Sequence, residues 1–202
     1  MKTKVAFGFN YRKATQALNH FALKQGGKIN KMKALKLIYF ADRYHLRKYG
    51  RLITNDNYVA MDNGAVPSST RDILEMTGFI GDSEKDYANR YIATKGYDLK
   101  SSASPDDDVF SLSDIEAIEF AWKQFGHLGG YALARLTHKY PEWDIHKEAL
   151  KHKPQSSFPM NIDNFLDDPS SNVDKCFELS SADKNLRLEH LKETAYIESI
   201  WS

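Results

Sequence analysis

Cysteine is nearly missing from this chain: Cys176 stands alone, which excludes an internal disulfide framework. Long apolar runs are missing too, and nothing approaches the roughly 20 residues that span a bilayer. The N-terminal stretch MKTKVAFGFNYRKATQ has too short an apolar run for a signal-peptide core, so a soluble, cytoplasmic protein with no membrane partner is the expectation. There is no P-loop, dinucleotide fingerprint, nucleophile elbow, internal repeat or low-complexity run. Acid is the last scarcity. Residues 1–52 hold 13 Lys or Arg and a single acid, Asp42, a balance of +12; residues 53–202 carry −11. A split of this kind can mark a nucleic-acid face. Here the acidic part is long enough to dock on the basic part or to steer a protein partner, and nucleic acid is disfavoured as a partner.

What is present is organised around Asn30 to Gly50, NKMKALKLIYFADRYHLRKYG. Its apolar residues cover most of a helix's girth, which predicts burial on several sides. Asn30 suits the N-cap, and Gly50 suits the stop. Lys36 and Asp42 interrupt the apolar surface. Each reads as a solvated edge, an internal salt bridge, or a polar spot held ready for a ligand. Tyr11 to Gln25 predicts a preceding helix, closed by Gly26-Gly27. Tyr58-Val59-Ala60-Met61 followed by Asp62-Asn63-Gly64 predicts a small strand and a tight turn. Pro67-Ser68-Ser69 opens a helix over Thr70 to Gly78 with Ile73, Leu74 and Phe79 as apolar contacts, and Tyr91 to Thr94 predicts a strand entering a hairpin at Lys95-Gly96. Ser101 to Asp108 reads as a loop. Ser113 and Glu116 suit a capping box for a helix ending at Gly126. A helix over Leu128 to Tyr140 follows, stopped by Pro141. Ser180 to Asp183 suits a second capping box, for a C-terminal helix with an anchored apolar end, Tyr196 to Trp201.

Chemistry-bearing patterns are weak. Asp106-Asp107-Asp108 lacks the spaced ligands and glycine of a calcium loop. His138, His146 and His152 lack metal-ligand spacing. Asp42 and His45 share a helix face, an arrangement that more often makes a structural hydrogen bond than a general base. Cys176 has no strongly basic surroundings and reads as a small hydrophobe. Phe7, Phe9, Tyr11, Tyr39, Tyr44 and Tyr49 lie among basic residues and could stack on bases, yet core packing accounts for them better. No metal, no cofactor and no enzymatic activity are expected.

Three segments together resemble the Panacea domain, the family of SocA-like antitoxins and phage-associated GepA-like proteins. Ala34 to Ala41, ALKLIYFA, is similar to the family's leading KLLYLA helix. Tyr58 to Pro67 resembles its EAWKYGPV segment, with Met61 in place of Trp, Asn63 of Tyr and Ala65 of Pro. Leu112-Ser113 with Glu116, Phe125-Gly126, Leu136-Thr137-His138 and Pro141-Glu142-Trp143 resemble its closing helices and LTH…PW ending. The resemblance covers roughly residues 11 to 150. It implies a mainly helical protein with a small β element that binds and neutralises a toxin encoded next door, without enzymatic activity. Alternatives are a proteolytic adaptor, with a protease as second partner, a phage-associated regulatory protein on the same fold, or a nucleic-acid binder using the basic segment.

The expected fold is α+β and predominantly helical, with a small antiparallel β element. Residues 1–152 form the domain, and 153–202 form an acidic extension whose terminal helix packs on it. The expected partner surface is Asp42, Arg43 and His45 of the central helix with Tyr58, Met61, Asn63, Gly64, Ala65 and Val66.

Overall fold

The computed structural model describes residues 8–152, 155–169 and 177–201, and the fold is α+β and mainly helical. At its centre runs α2, Lys31–Tyr49. The Asn30 side chain accepts from the Lys33 amide and caps its start, and Gly50 ends it at φ 79°. Asparagine supplies an acceptor for an orphan N–H, and glycine takes a left-handed geometry that strains other residues. Between these ends Ala34, Leu37, Ile38, Tyr39, Phe40 and Leu46 are buried. Three helices supply most of the cover: α1, Tyr11–Lys24; α5, Leu112–Phe125; and α6, Gly130–Thr137. The Phe125 ring of α5 stacks on Phe40 at 4.1 Å.

Two small antiparallel sheets flank this core. One has the order β1-β5-β4, from Lys28–Asn30, Asp98–Ser101 and Ile92–Lys95. The other has the order β3-β2-β6, from Gly64–Pro67, Tyr58–Met61 and Phe158–Pro159. Hairpins β2–β3 and β4–β5 turn at Asp62-Asn63 and Gly96-Tyr97. The remaining helices are α3, Ser68–Glu75; α4, Asp82–Tyr91; α7, Pro141–Asp144; α8, Lys147–His152; and α9, Ser181–Trp201. No described helix is long and apolar enough to cross a membrane.

Several local expectations shift. The capping box of α5 is Ser111 with Asp114, two residues earlier than the Ser113–Glu116 pair. Both pairs have the same spacing, and tertiary contacts decide. Ser113 Oγ lies 3.0 Å from His45 Nε2, and Glu116 accepts from Tyr44, Lys48 and Tyr49. α6 is shorter than Leu128 to Tyr140: it ends at Thr137, before Pro141, which opens α7. Phe79 is 89% exposed because it sits in the loop between α3 and α4, so it is no core contact. The Ser180–Asp183 box holds. Near the end of α9, Tyr196, Ile197 and Ile200 are exposed, whereas Leu191 is buried where the helix meets the core. Expectations resting on Phe7, Cys176 and the side chain of Trp201 lie outside what is described.

Part of the charge split resolves into internal pairs. Lys13 and Arg51 meet Asp114, Lys24 meets Glu119, Lys48 meets Glu116, Arg43 meets Glu142, and Arg47 meets Asp168. The neutralising acids come mostly from α5 and α7, with the C-terminal segment adding Asp168. That segment also completes the core. Phe165, Leu166, Phe177 and Leu191 are buried, and Phe177 stacks on Phe125 at 6.1 Å. Arg47 donates to the carbonyls of Phe165 and Asp167, and Arg187 donates to the carbonyls of Arg47 and Lys48 at the end of α2.

Candidate functional site

The residues expected to form the partner surface are mostly interior. Asp42, Arg43 and His45 each have no exposed surface, and Ala65 has none either. Tyr58, Gly64 and Val66 are also buried. Only Asn63 is exposed, with Met61 half-buried. The reason is that α2 is covered all round, so the polar groups on it turn to internal partners.

Asp42 organises the chain that follows α2. Its carboxylate accepts from the Ile53 amide at 2.6 Å, the Thr54 amide at 3.2 Å, the Thr54 hydroxyl at 2.5 Å and the Tyr58 hydroxyl at 2.7 Å. Burial pushes its carboxyl pKa up, and the donors from Thr54, Tyr58 and Ile53 pull it partly back. Arg43 Nε donates to Glu142 Oε1 at 2.8 Å, and the Tyr39 hydroxyl donates to the same oxygen at 2.6 Å. The guanidinium lies 4.4 Å from the Tyr140 ring centre and 5.0 Å from that of Phe177, a desolvated cation–π stack. His45 makes no bond with Asp42. Its Nδ1 lies 2.8 Å from the Arg51 carbonyl and so carries the proton, leaving Nε2 to accept from Ser113. Burial lowers its pKa to about 4, which keeps the ring neutral.

Lys36 is not a solvated edge, and among the described residues it has no salt-bridge partner. It is buried, and Nζ donates to the Ala65 carbonyl at 2.5 Å. Burial lowers its pKa to about 7. The same hairpin is clamped from its other side. The Ala65 amide donates to Thr137 Oγ1 at 3.2 Å, and the Trp143 indole N–H donates to the Met61 carbonyl at 3.0 Å. β6 adds a third strand against β2. The motif segments thus converge physically: α2, the β2–β3 hairpin, α6 and α7 lock one another.

The arrangement is that of a rigid scaffold. His138 stacks on Trp143 at 3.7 Å and His146 on Phe158 at 5.9 Å, so these rings pack apart on separate aromatics. Among the described residues no group of three or more His, Cys, Asp and Glu is placed to hold a metal ion. Beside the exposed turn lies a shallow groove lined by Asp62, Trp143, Lys147, Leu150 and Lys151. Sequence reasoning missed Glu142 as the counter-ion of Arg43, although it sits inside the Pro141-Glu142-Trp143 motif. It also missed the exposed tyrosines Tyr97 and Tyr131, 86% and 68% accessible; an aromatic in a hairpin turn is the available signal for Tyr97.

A family model described as antitoxin SocA-like, Panacea domain, matches residues 35–144. No curated protein and no solved structure matches the chain.

Proposed function

Because the chain belongs to the family of SocA-like antitoxins with a Panacea domain, we propose that it neutralises a cognate protein toxin, encoded by a neighbouring gene, through direct and stoichiometric contact. The observation that carries this reading is the family match from α2 to α7, the same elements that lock into one scaffold. A buried, over-connected polar network suits a pre-organised binder, because little order must be gained on association. The chain acts without catalysis in this reading. Of the partner set expected from the sequence, Asn63 and Met61 are the side chains a toxin can reach without unfolding the hairpin.

Co-expression tests it. The neighbouring gene alone should arrest growth. The full chain should restore growth, and the two proteins should elute together in size-exclusion chromatography. A harmless neighbour, or rescue with no complex formed, overturns the reading. Rescue that disappears when a host protease is deleted points to the adaptor alternative.

A further inference from the structure

We propose that the solvent face of the β1-β5-β4 sheet, with Tyr97 and Tyr131 at its rim, is a docking surface for an acidic patch on a partner protein. The inference rests on the partner-binding reading above and names the surface and its chemistry. Antiparallel register sets Lys28 opposite Lys100 and Lys100 opposite Ala93; the next row sets Asn30 opposite Asp98 and Asp98 opposite Lys95. Strand alternation turns Ile29 and Leu99 inward, where they are buried, and leaves these two rows facing water. The face therefore carries Lys28, Lys95 and Lys100 against one carboxylate, Asp98, which Lys28 already engages at 3.1 Å. Lys31 follows at the sheet's end, and among the described residues Lys31, Lys95 and Lys100 have no ion-pair partner. Much of the basic N-terminal region meets internal carboxylates, through Lys13, Lys24, Arg43, Arg47, Lys48 and Arg51; on this face three lysines do not. Like charges directly opposite on paired strands oppose the pairing, so Lys28 beside Lys100 is a cost that an incoming carboxylate relieves.

Two tyrosines bracket the same spot. The Tyr97 carbonyl accepts from the Lys31 amide at 2.9 Å and from Asn30 Nδ2 at 3.3 Å, which pins the β4–β5 turn to the start of α2. The backbone of Gly130 approaches from the other side: a Cβ there would lie 3.2 Å from Asn30 Oδ1 and 3.4 Å from Met32 Sδ. Tyr131, the next residue, is exposed. Both rings are exposed while their backbones are fixed, so they can act as contact anchors at small entropic cost. The positive end of the α2 dipole lies between them and favours the same sign of partner. Tyrosine anchors supply affinity and the lysines supply steering.

The full chain is tested with a fluorescein-labelled poly-glutamate peptide and a single-stranded oligonucleotide of equal charge, by fluorescence anisotropy. The K95E/K100E double variant should weaken peptide binding about tenfold or more, at an unchanged melting temperature. Carbodiimide crosslinks to the peptide should map to Lys28, Lys31, Lys95 and Lys100. Equal peptide binding by wild type and variant, crosslinks concentrated instead on Lys147 and Lys151, or a clear preference for the oligonucleotide overturns the proposal. In a second arm the product of the neighbouring gene is co-purified, and Y97A/Y131A should cut the retained amount about tenfold. If that product binds the wild type and both variants equally, the surface is wrong and neutralisation stands. If it never binds the wild type, the neutralisation reading fails, and the peptide and crosslink results still decide this surface.

Discussion

The β2–β3 and β4–β5 hairpins each join two four-residue strands through a two-residue turn, yet one is swallowed by the fold and the other faces solvent. Every residue of β3 is buried, whereas β4 and β5 alternate between buried and exposed positions. The covered hairpin is held by Asp42, Lys36, Thr137 and Trp143, all side chains from helices. The open one is held by backbone pairing to β1 and by the amide of Lys31. A hairpin signal in a sequence therefore says nothing about which hairpin meets a partner. That depends on what the helices bring to its faces.

The sharpest way to break the contrast is to remove Asp42. Asp42→Ala strands four buried donors, and an unfolding penalty of about 4 kcal/mol is expected from urea titration, with the Tyr58 strand loosened first in hydrogen exchange. Next come the turn glycines, both at positive φ. At Gly64 a Cβ would overlap Thr137 Oγ1 and lie 3.0 Å from the Ala134 carbonyl, while at Gly96 nothing lies within 4 Å. Gly64→Ala should cost about 3 kcal/mol and Gly96→Ala about 1 kcal/mol, the latter from backbone strain alone. Equal penalties would erase the distinction between the hairpins.

A third test uses pH. Lys36 releases its proton near 7 in the folded protein and near 10.5 when unfolded. Between those values the unfolded chain binds the extra proton, so the contribution of Lys36 to stability rises with pH, by at most about 1.4 kcal/mol per unit. Urea midpoints measured across pH 7.5–8.5 should climb in the wild type, and Lys36→Met should flatten the climb. The smallest effect is reserved for the open hairpin: K95E/K100E should change stability by no more than about 0.5 kcal/mol, read from the same titration.

Much of the framework was legible because its causes are local. Asn30 and Gly50 cap α2 from within a few residues, and Asp62-Asn63-Gly64 and Lys95-Gly96 turn their own strands. Exposure was not legible, because it is a property of distant chain. Arg43 looks like a surface cation until Glu142 reaches it from 99 residues away. Lys36 finds its acceptor at Ala65. Even α3, whose start was visible at Pro67-Ser68-Ser69, takes its cap from Asp56, which accepts from the Ser69 and Thr70 amides. The misplaced box at Ser113–Glu116 has the same origin, since two equivalent local signals compete and contacts with α2 choose between them.

The seating of Phe165 and Asp167 against Arg47 has a consequence for how this protein is made. Their carbonyls lie 118 and 120 residues beyond the guanidinium they receive. At synthesis rates of roughly 5–20 residues per second, the ribosome needs on the order of ten seconds to supply them after Arg47 has emerged. Through that interval the guanidinium of Arg47 stays hydrated and the C-terminal half of α2 lacks its last cover. Completion of the core therefore waits for the chain to be made at least as far as Asp167. A ribosome that stalls before residue 165 releases a chain with its central helix half wet, ready for the proteases that clear unfinished proteins.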